Sequence, residues 1–161
     1  MAGCGGPGGG GVTPQPGESG EGSPSSSAQV AAIDPCQTLT SGDATALSLK
    51  GSGEPKRISG AAACDWNLAT GGGIQIVVNH DKSLDELNFT GQKVEETSVA
   101  GRRAKLVADS VLTGTCGVSF ETSSASSISV VGSVPARQNP DTACEIAQKA
   151  APLVAANFPK N

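Results

Sequence analysis

Ala62-Ala63-Cys64-Asp65-Trp66-Asn67-Leu68, the turn Thr70-Gly71-Gly72-Gly73, and Ile74-Gln75-Ile76-Val77-Val78 decide the fold. In the first segment Cys64, Trp66 and Leu68 fall on one side and Asp65 and Asn67 on the other. That period of two belongs to a strand with one buried face. Ile74, Ile76 and Val78 resume the period after glycines free to take up tight-turn angles. The stretch therefore predicts a hairpin whose apolar face needs a second layer.

Upstream, Asp34-Pro35 is a helix-start signal, with Asp as N-cap and Pro at the first helical position. Thr40-Ser41-Gly42-Asp43 offers a capping box for a second short helix through Leu47. Gly51 to Gly60 reads as a loop. Downstream, Ser83 to Phe89 predicts a short helix that crosses to the next strands. Val94 to Val99, Ala104 to Ala108, Gly114 to Glu121 and Ser127 to Val131 predict strands, with a turn at Ala100-Gly101. Asn139-Pro140-Asp141 opens a last helix carrying Ala143, Ile146, Ala147, Ala150 and Val154, with Thr142 to Glu145 reinforcing its cap. Pro152 removes a backbone donor and predicts a kink or an end there. These elements imply an α+β class: a mostly antiparallel β-sheet with short N-terminal helices and a C-terminal helix packed on one face.

Residues 32–161 suffice for one such domain, which at about 130 residues buries some two-thirds of its unfolded surface. Aromatic residues make up 2% of the 161-residue chain, so the core must be aliphatic. The net charge of −4 comes without a basic stripe, which disfavours nucleic acid as a partner. No stretch approaches the ~20 apolar residues of a membrane span.

Residues 1–31 differ in kind. They hold Gly8-Gly9-Gly10-Gly11, Thr13-Pro14-Gln15-Pro16-Gly17 and Ser23-Pro24-Ser25-Ser26-Ser27, with little to bury. Such a tract predicts a disordered tether with a reach of roughly 30 Å. Ahead of it, Ala2-Gly3-Cys4 is how the cleavage site of a bacterial lipoprotein signal ends, with Cys4 as the lipidated residue. Because no apolar h-region precedes it, the expectation is a mature N-terminus with an added start Met.

Cys36, Cys64, Cys116 and Cys144 form an even set beyond Cys4, as expected for two disulfides in an exported chain. Of three possible connectivities, Cys36–Cys64 and Cys116–Cys144 is the expected one, tying the first helix to the first strand and a central strand to the last helix. Zinc is disfavoured because no two cysteines are close in sequence. No cofactor is expected.

Catalytic readings find little purchase. His80, the sole His, stands beside Asp81, yet no G-x-S-x-G elbow supports a hydrolase triad. Asp81, Asp85 and Glu86 lack the spacing of an EF-hand and read as a solvated helix face with a cap. Asn88-Phe89-Thr90 matches a glycosylation sequon by chance, and Gly71-Gly72-Gly73 is a turn rather than a phosphate cradle. Trp66 is the main core aromatic, with a ligand-lining role as its lesser reading.

Asp34-Pro35-Cys36 with Leu39-Thr40, Ala63-Cys64-Asp65-Trp66, Cys116-Gly117-Val118, and Asp141-Thr142-Ala143-Cys144 with Ala147 resemble an actinobacterial lipoprotein family, domain of unknown function 3558. Ala100-Gly101-Arg102-Arg103-Ala104 looks like its Gly-rich turn, where the family often has Pro in place of Arg103. The resemblance spans the ordered region and implies a lipid-anchored extracytoplasmic domain, with no catalytic residue to carry over. The sequence thus predicts a non-enzymatic accessory or interaction domain on the outer face of the cell membrane, anchored through Cys4. Its partner would be an unidentified envelope protein. The alternative is a carrier of a small or lipidic ligand in a cleft near Trp66.

Overall fold

The computed structural model describes residues 33–109 and 114–158. Its centre is the hairpin of β2 (Ala61–Leu68) and β3 (Gly73–Asn79), with Cys64 opposite Ile76 and Trp66 opposite Ile74. Around it lie β1 (Leu49–Ile58), β4 (Gln92–Val99), β5 (Arg102–Asp109), β6 (Thr115–Ser123) and β7 (Ser126–Ser133). The seven strands form one antiparallel sheet in the order β1-β2-β3-β7-β6-β5-β4. Two meanders, β1-β2-β3 and β4-β5-β6-β7, are thus joined where β7 pairs with β3.

Strict alternation carries the core across the sheet. Cys64, Ile76, Val130, Val118 and Leu106 stand side by side, as do Ala62, Val78, Ile128, Phe120 and Ala104. Over this face lie α1 (Ser41–Ala46), a 3₁₀ turn (Pro35–Gln37) and α2 (Asp141–Ala156). The first two start as the sequence predicts. Asp34 accepts from Cys36 N–H at 2.9 Å, and Thr40 and Asp43 cap each other reciprocally.

Helix α2 buries Ala143, Ala147, Ala150, Ala151, Val154 and Ala155 against β6 and β7. Small side chains let its backbone come close: a Cβ on Gly132 would stand 3.2 Å from Ala147 N and tighter still on the Ala143 carbonyl. Disulfides Cys36–Cys64 and Cys116–Cys144 fasten the 3₁₀ turn and α2 to the sheet. Each closes a span of 28 residues, for which the chain-entropy account gives about 3–4 kcal/mol.

Three expectations change. Of the expected loop Gly51–Gly60, residues 51–58 belong to β1 and only Ser59 and Gly60 form a turn, so Cys64 belongs to the second strand. An edge strand with most residues exposed carries no apolar alternation to betray it. Its register shifts between Lys50 and Glu54, and a Cβ on Gly53 there would stand 2.6 Å from the Trp66 ring. The expected helix from Ser83 shrinks to a 3₁₀ turn (Leu84–Glu86), because this segment must stretch from the middle of the sheet to its far edge. Of the two outcomes expected at Pro152, a kink or an end, the end does not occur there: helix α2 runs on to Ala156. Pro152 and Gln148 are both exposed, so the Gln148 carbonyl that loses a donor can bond to water.

Candidate functional site

The other face of the sheet has no helix on it among the described residues. Its cover is the crossing segment 80–91, held by bonds that the sequence places on both partners. Leu84 is fully buried, and Ser127 Oγ donates to the Lys82 carbonyl at 2.9 Å. Asp85 accepts from Arg103 at 3.1 Å and from Lys105 at 3.0 Å, and Lys105 Nζ sits 5.9 Å from the centre of the Phe89 ring. Those bonds from Lys105 and Arg103 hold the Asp85 carboxyl below its ordinary range.

The segment covers this face diagonally and leaves a groove of about 250 Å³ beside it. Val77, Val107, Gly117 and Val131 make the floor, and Leu87 and Phe89 the wall. Asn79, Asn88, Gln92, Asp109 and Thr115 supply the polar rim, while Ser119 and Ser129 lie in the sheet with their hydroxyls bonded to each other at 2.8 Å. Gly117 sets the depth: a Cβ there would meet Val131 Cγ2 at 3.5 Å, in ordinary contact, and would rise into the groove. An apolar floor under amide and hydroxyl groups suits an apolar side chain or short chain flanked by hydrogen-bonding groups.

Sequence-predicted residues lie elsewhere. Trp66 is 4% exposed, packed in the core on the helix face. With Asn67 and Gly73 it also borders a surface depression by the β2–β3 turn. His80 Nδ1 is buried with no hydrogen-bond partner, so the orienting carboxylate of a triad is missing from it. Glu86 accepts from Ser83 N–H at 2.8 Å, the cap role expected of this acidic group. Asn88 Oδ1 accepts from Thr90 N–H and Oγ1, at 3.0 and 2.6 Å. Among the described residues no group of three or more His, Cys, Asp or Glu side chains is placed to hold a metal ion. Cys4 and the 1–31 tether lie outside the described residues.

Sequence reasoning missed the groove, although a signal existed. Val77, Val107 and Val131 interrupt the polar phase of their strands, as residues do when the second face is also partly covered. Among the described residues no helix is long and apolar enough to cross a membrane, and the two disulfides are compatible with an extracytoplasmic location.

Over residues 1–157 the sequence matches the family model described as "Protein of unknown function (DUF3558)". No curated protein and no solved structure matches it.

Proposed function

The chain belongs to the DUF3558 family of proteins of unknown function, and from that premise we propose a lipid-anchored, non-enzymatic interaction domain on the outer face of the cytoplasmic membrane. Ala2-Gly3-Cys4 and the Gly/Pro/Ser tract behind it support the anchor and its tether. The two disulfides support an oxidising compartment. The observation that carries the interaction reading is the groove over Gly117, a concave apolar surface on the sheet face without a helix. In this reading an envelope protein seats an apolar side chain between Phe89 and Val131, with its backbone amides on Asn79, Asn88 and Gln92.

The test has two arms. Produced behind a lipoprotein export signal, the protein should incorporate a palmitate analogue, and Cys4→Ala should not; equal labelling of both would end the anchor reading. Cross-linked envelope should yield a specific partner with the wild-type domain and lose it with Gly117→Leu, which fills the groove. A partner retained equally by both forms would remove the groove from the account.

A second reading, a carrier of a small or lipidic ligand, is favoured by the same volume, which admits a short acyl segment. Its site then moves from the neighbourhood of Trp66 to the opposite face. Native mass spectrometry of protein from its own host would show an adduct displaced by Gly117→Leu. A bare mass for the oxidised chain would dismiss this carrier.

A further inference from the structure

The two ends of the sheet are built differently. At one end β1 is guarded by Pro55 and by a register shift between Lys50 and Glu54. Such features keep foreign strands away. At the other end β4 pairs regularly with β5 through all eight of its residues, without proline or bulge, and no described strand lies beyond it. Seven of those eight residues are exposed. Its third residue is Val94, 38% exposed, one of only two large exposed apolar side chains among the described residues.

We propose that β4 is a self-pairing edge: two copies of this chain join antiparallel through β4, with Val94 on the two-fold axis. The backbone limits the registers. The β4–β5 turn has two residues, Ala100 and Gly101, both at positive φ (49° and 79°). In such a turn the closing pair, Val99 and Arg102, exchanges both hydrogen bonds. Alternation then turns the peptide groups of Thr97, Glu95 and Lys93 toward β5, and those of Ser98, Glu96, Val94 and Gln92 outward. A symmetric antiparallel pair must match outward groups with outward groups, so its axis passes through a residue and not between two.

Charge selects among these axes. Centring on Lys93, Glu95 or Glu96 sets a like charge against itself. Centring on Thr97 matches no unlike charges and leaves Val94 opposite the turn. Centring on Val94 places each Lys93 directly opposite the second copy's Glu95, on the closer, non-hydrogen-bonded pairs. The two valines then cover one another. Gln92 N–H is already taken by the Phe89 carbonyl at 3.0 Å. Four inter-chain bonds remain: two between the valines, and one from each Glu96 N–H to the opposite Gln92 carbonyl. Within one chain Lys93 and Glu95 lie 2.9 Å apart with side chains 73% and 56% exposed, so both can turn to a new partner. A joint this small forms a weak dimer in solution, strengthened when both copies are confined to one surface.

The experiment is sedimentation equilibrium of the oxidised chain over a wide concentration range. Wild type should show a monomer–dimer equilibrium. Glu95→Lys and Lys93→Glu, each of which turns two attractive pairs repulsive, should each weaken it at least about tenfold. An equimolar mixture of the two variants should restore dimers, because every cross-strand pair is again unlike. In a Cys4→Ser background, Val94→Cys should oxidise to a covalent dimer, since directly paired strand positions suit a disulfide. Ser98→Cys, which has no strand residue opposite it in this register, should cross-link at least about tenfold more slowly. A monomer at millimolar concentration, a dimer indifferent to both charge changes, or equal cross-linking at residues 94 and 98 would each overturn the proposal.

Discussion

Gly132 and Gly117 occupy neighbouring central strands, yet the same substitution should move stability in opposite directions. In Gly132→Ala the new methyl lands on the Ala143 carbonyl oxygen and 3.2 Å from Ala147 N, both backbone atoms of α2. Overpacking of this kind costs about 1–3 kcal/mol, and a backbone cannot rotate aside, so the upper end applies. Replacing a strand glycine returns about 0.5–1 kcal/mol of chain entropy, leaving a net loss of about 2 kcal/mol. In Gly117→Ala the methyl stands 3.5 Å from Val131 Cγ2, a normal contact, so only the gain of about 0.5–1 kcal/mol remains. The two variants should therefore differ by about 3 kcal/mol. With a urea dependence near 2 kcal/mol/M, their unfolding midpoints should separate by about 1.5 M. Urea titrations followed by circular dichroism, with disulfides intact, measure this directly. Midpoints within 0.3 M of each other would refute the claim that close helix–sheet approach, rather than strand propensity, dictates Gly132.

Two further outcomes follow from the same structure. Replacing Cys36 and Cys64 together by Ala should lower stability by about 3–4 kcal/mol in urea, while the unmodified oxidised protein should take up a single alkylating group, at Cys4. A loss under 1 kcal/mol, or uptake of more than one group, would remove the staple from the account. Acid should also weaken the domain. Hydrogen bonds from Lys105 and Arg103 lower the Asp85 carboxyl, and those from Ser83 lower Glu86. Burial pushes the Asp43 carboxyl up, but bonds from Thr40 and Asn157 outweigh it and leave it lowered. Each is therefore more acidic folded than unfolded. Their contribution is whole above the unfolded values, about 3.9–4.3, and is lost as pH falls below them. Asp85→Asn should flatten that acid limb, and an unchanged slope would contradict the pairing.

The helix face was readable because its residues announce it twice, once by alternation and once by chemistry. Cys64, Trp66, Ile74, Ile76, Val118 and Phe120 keep strict phase, and their partners across the sheet keep it too. Asp34-Pro35 and Thr40-Asp43 were legible because a cap is a local event, complete within four residues. β1 was hidden for the opposite reason: its membership depends on β2 as a neighbour, and Gly51, Gly53 and Pro55 argue locally for a turn. The length of the helix at Leu84 could not be read either, since it is fixed by the distance between β3 and β4. The groove needed four strands and the crossing segment to be superposed before Val77, Val107 and Val131 lined one floor with Gly117, and no single stretch of sequence holds that information.

The placement of the two bridges bears on how the protein is made. They enclose residues 36–64 and 116–144, intervals that neither nest nor overlap. A ribosome delivers both members of the first couple some fifty residues before it delivers either member of the second. Cys4 aside, an oxidant acting on the emerging polypeptide would meet one candidate match at a time. Were oxidation to follow order of arrival, that order alone would select this connectivity over the other two.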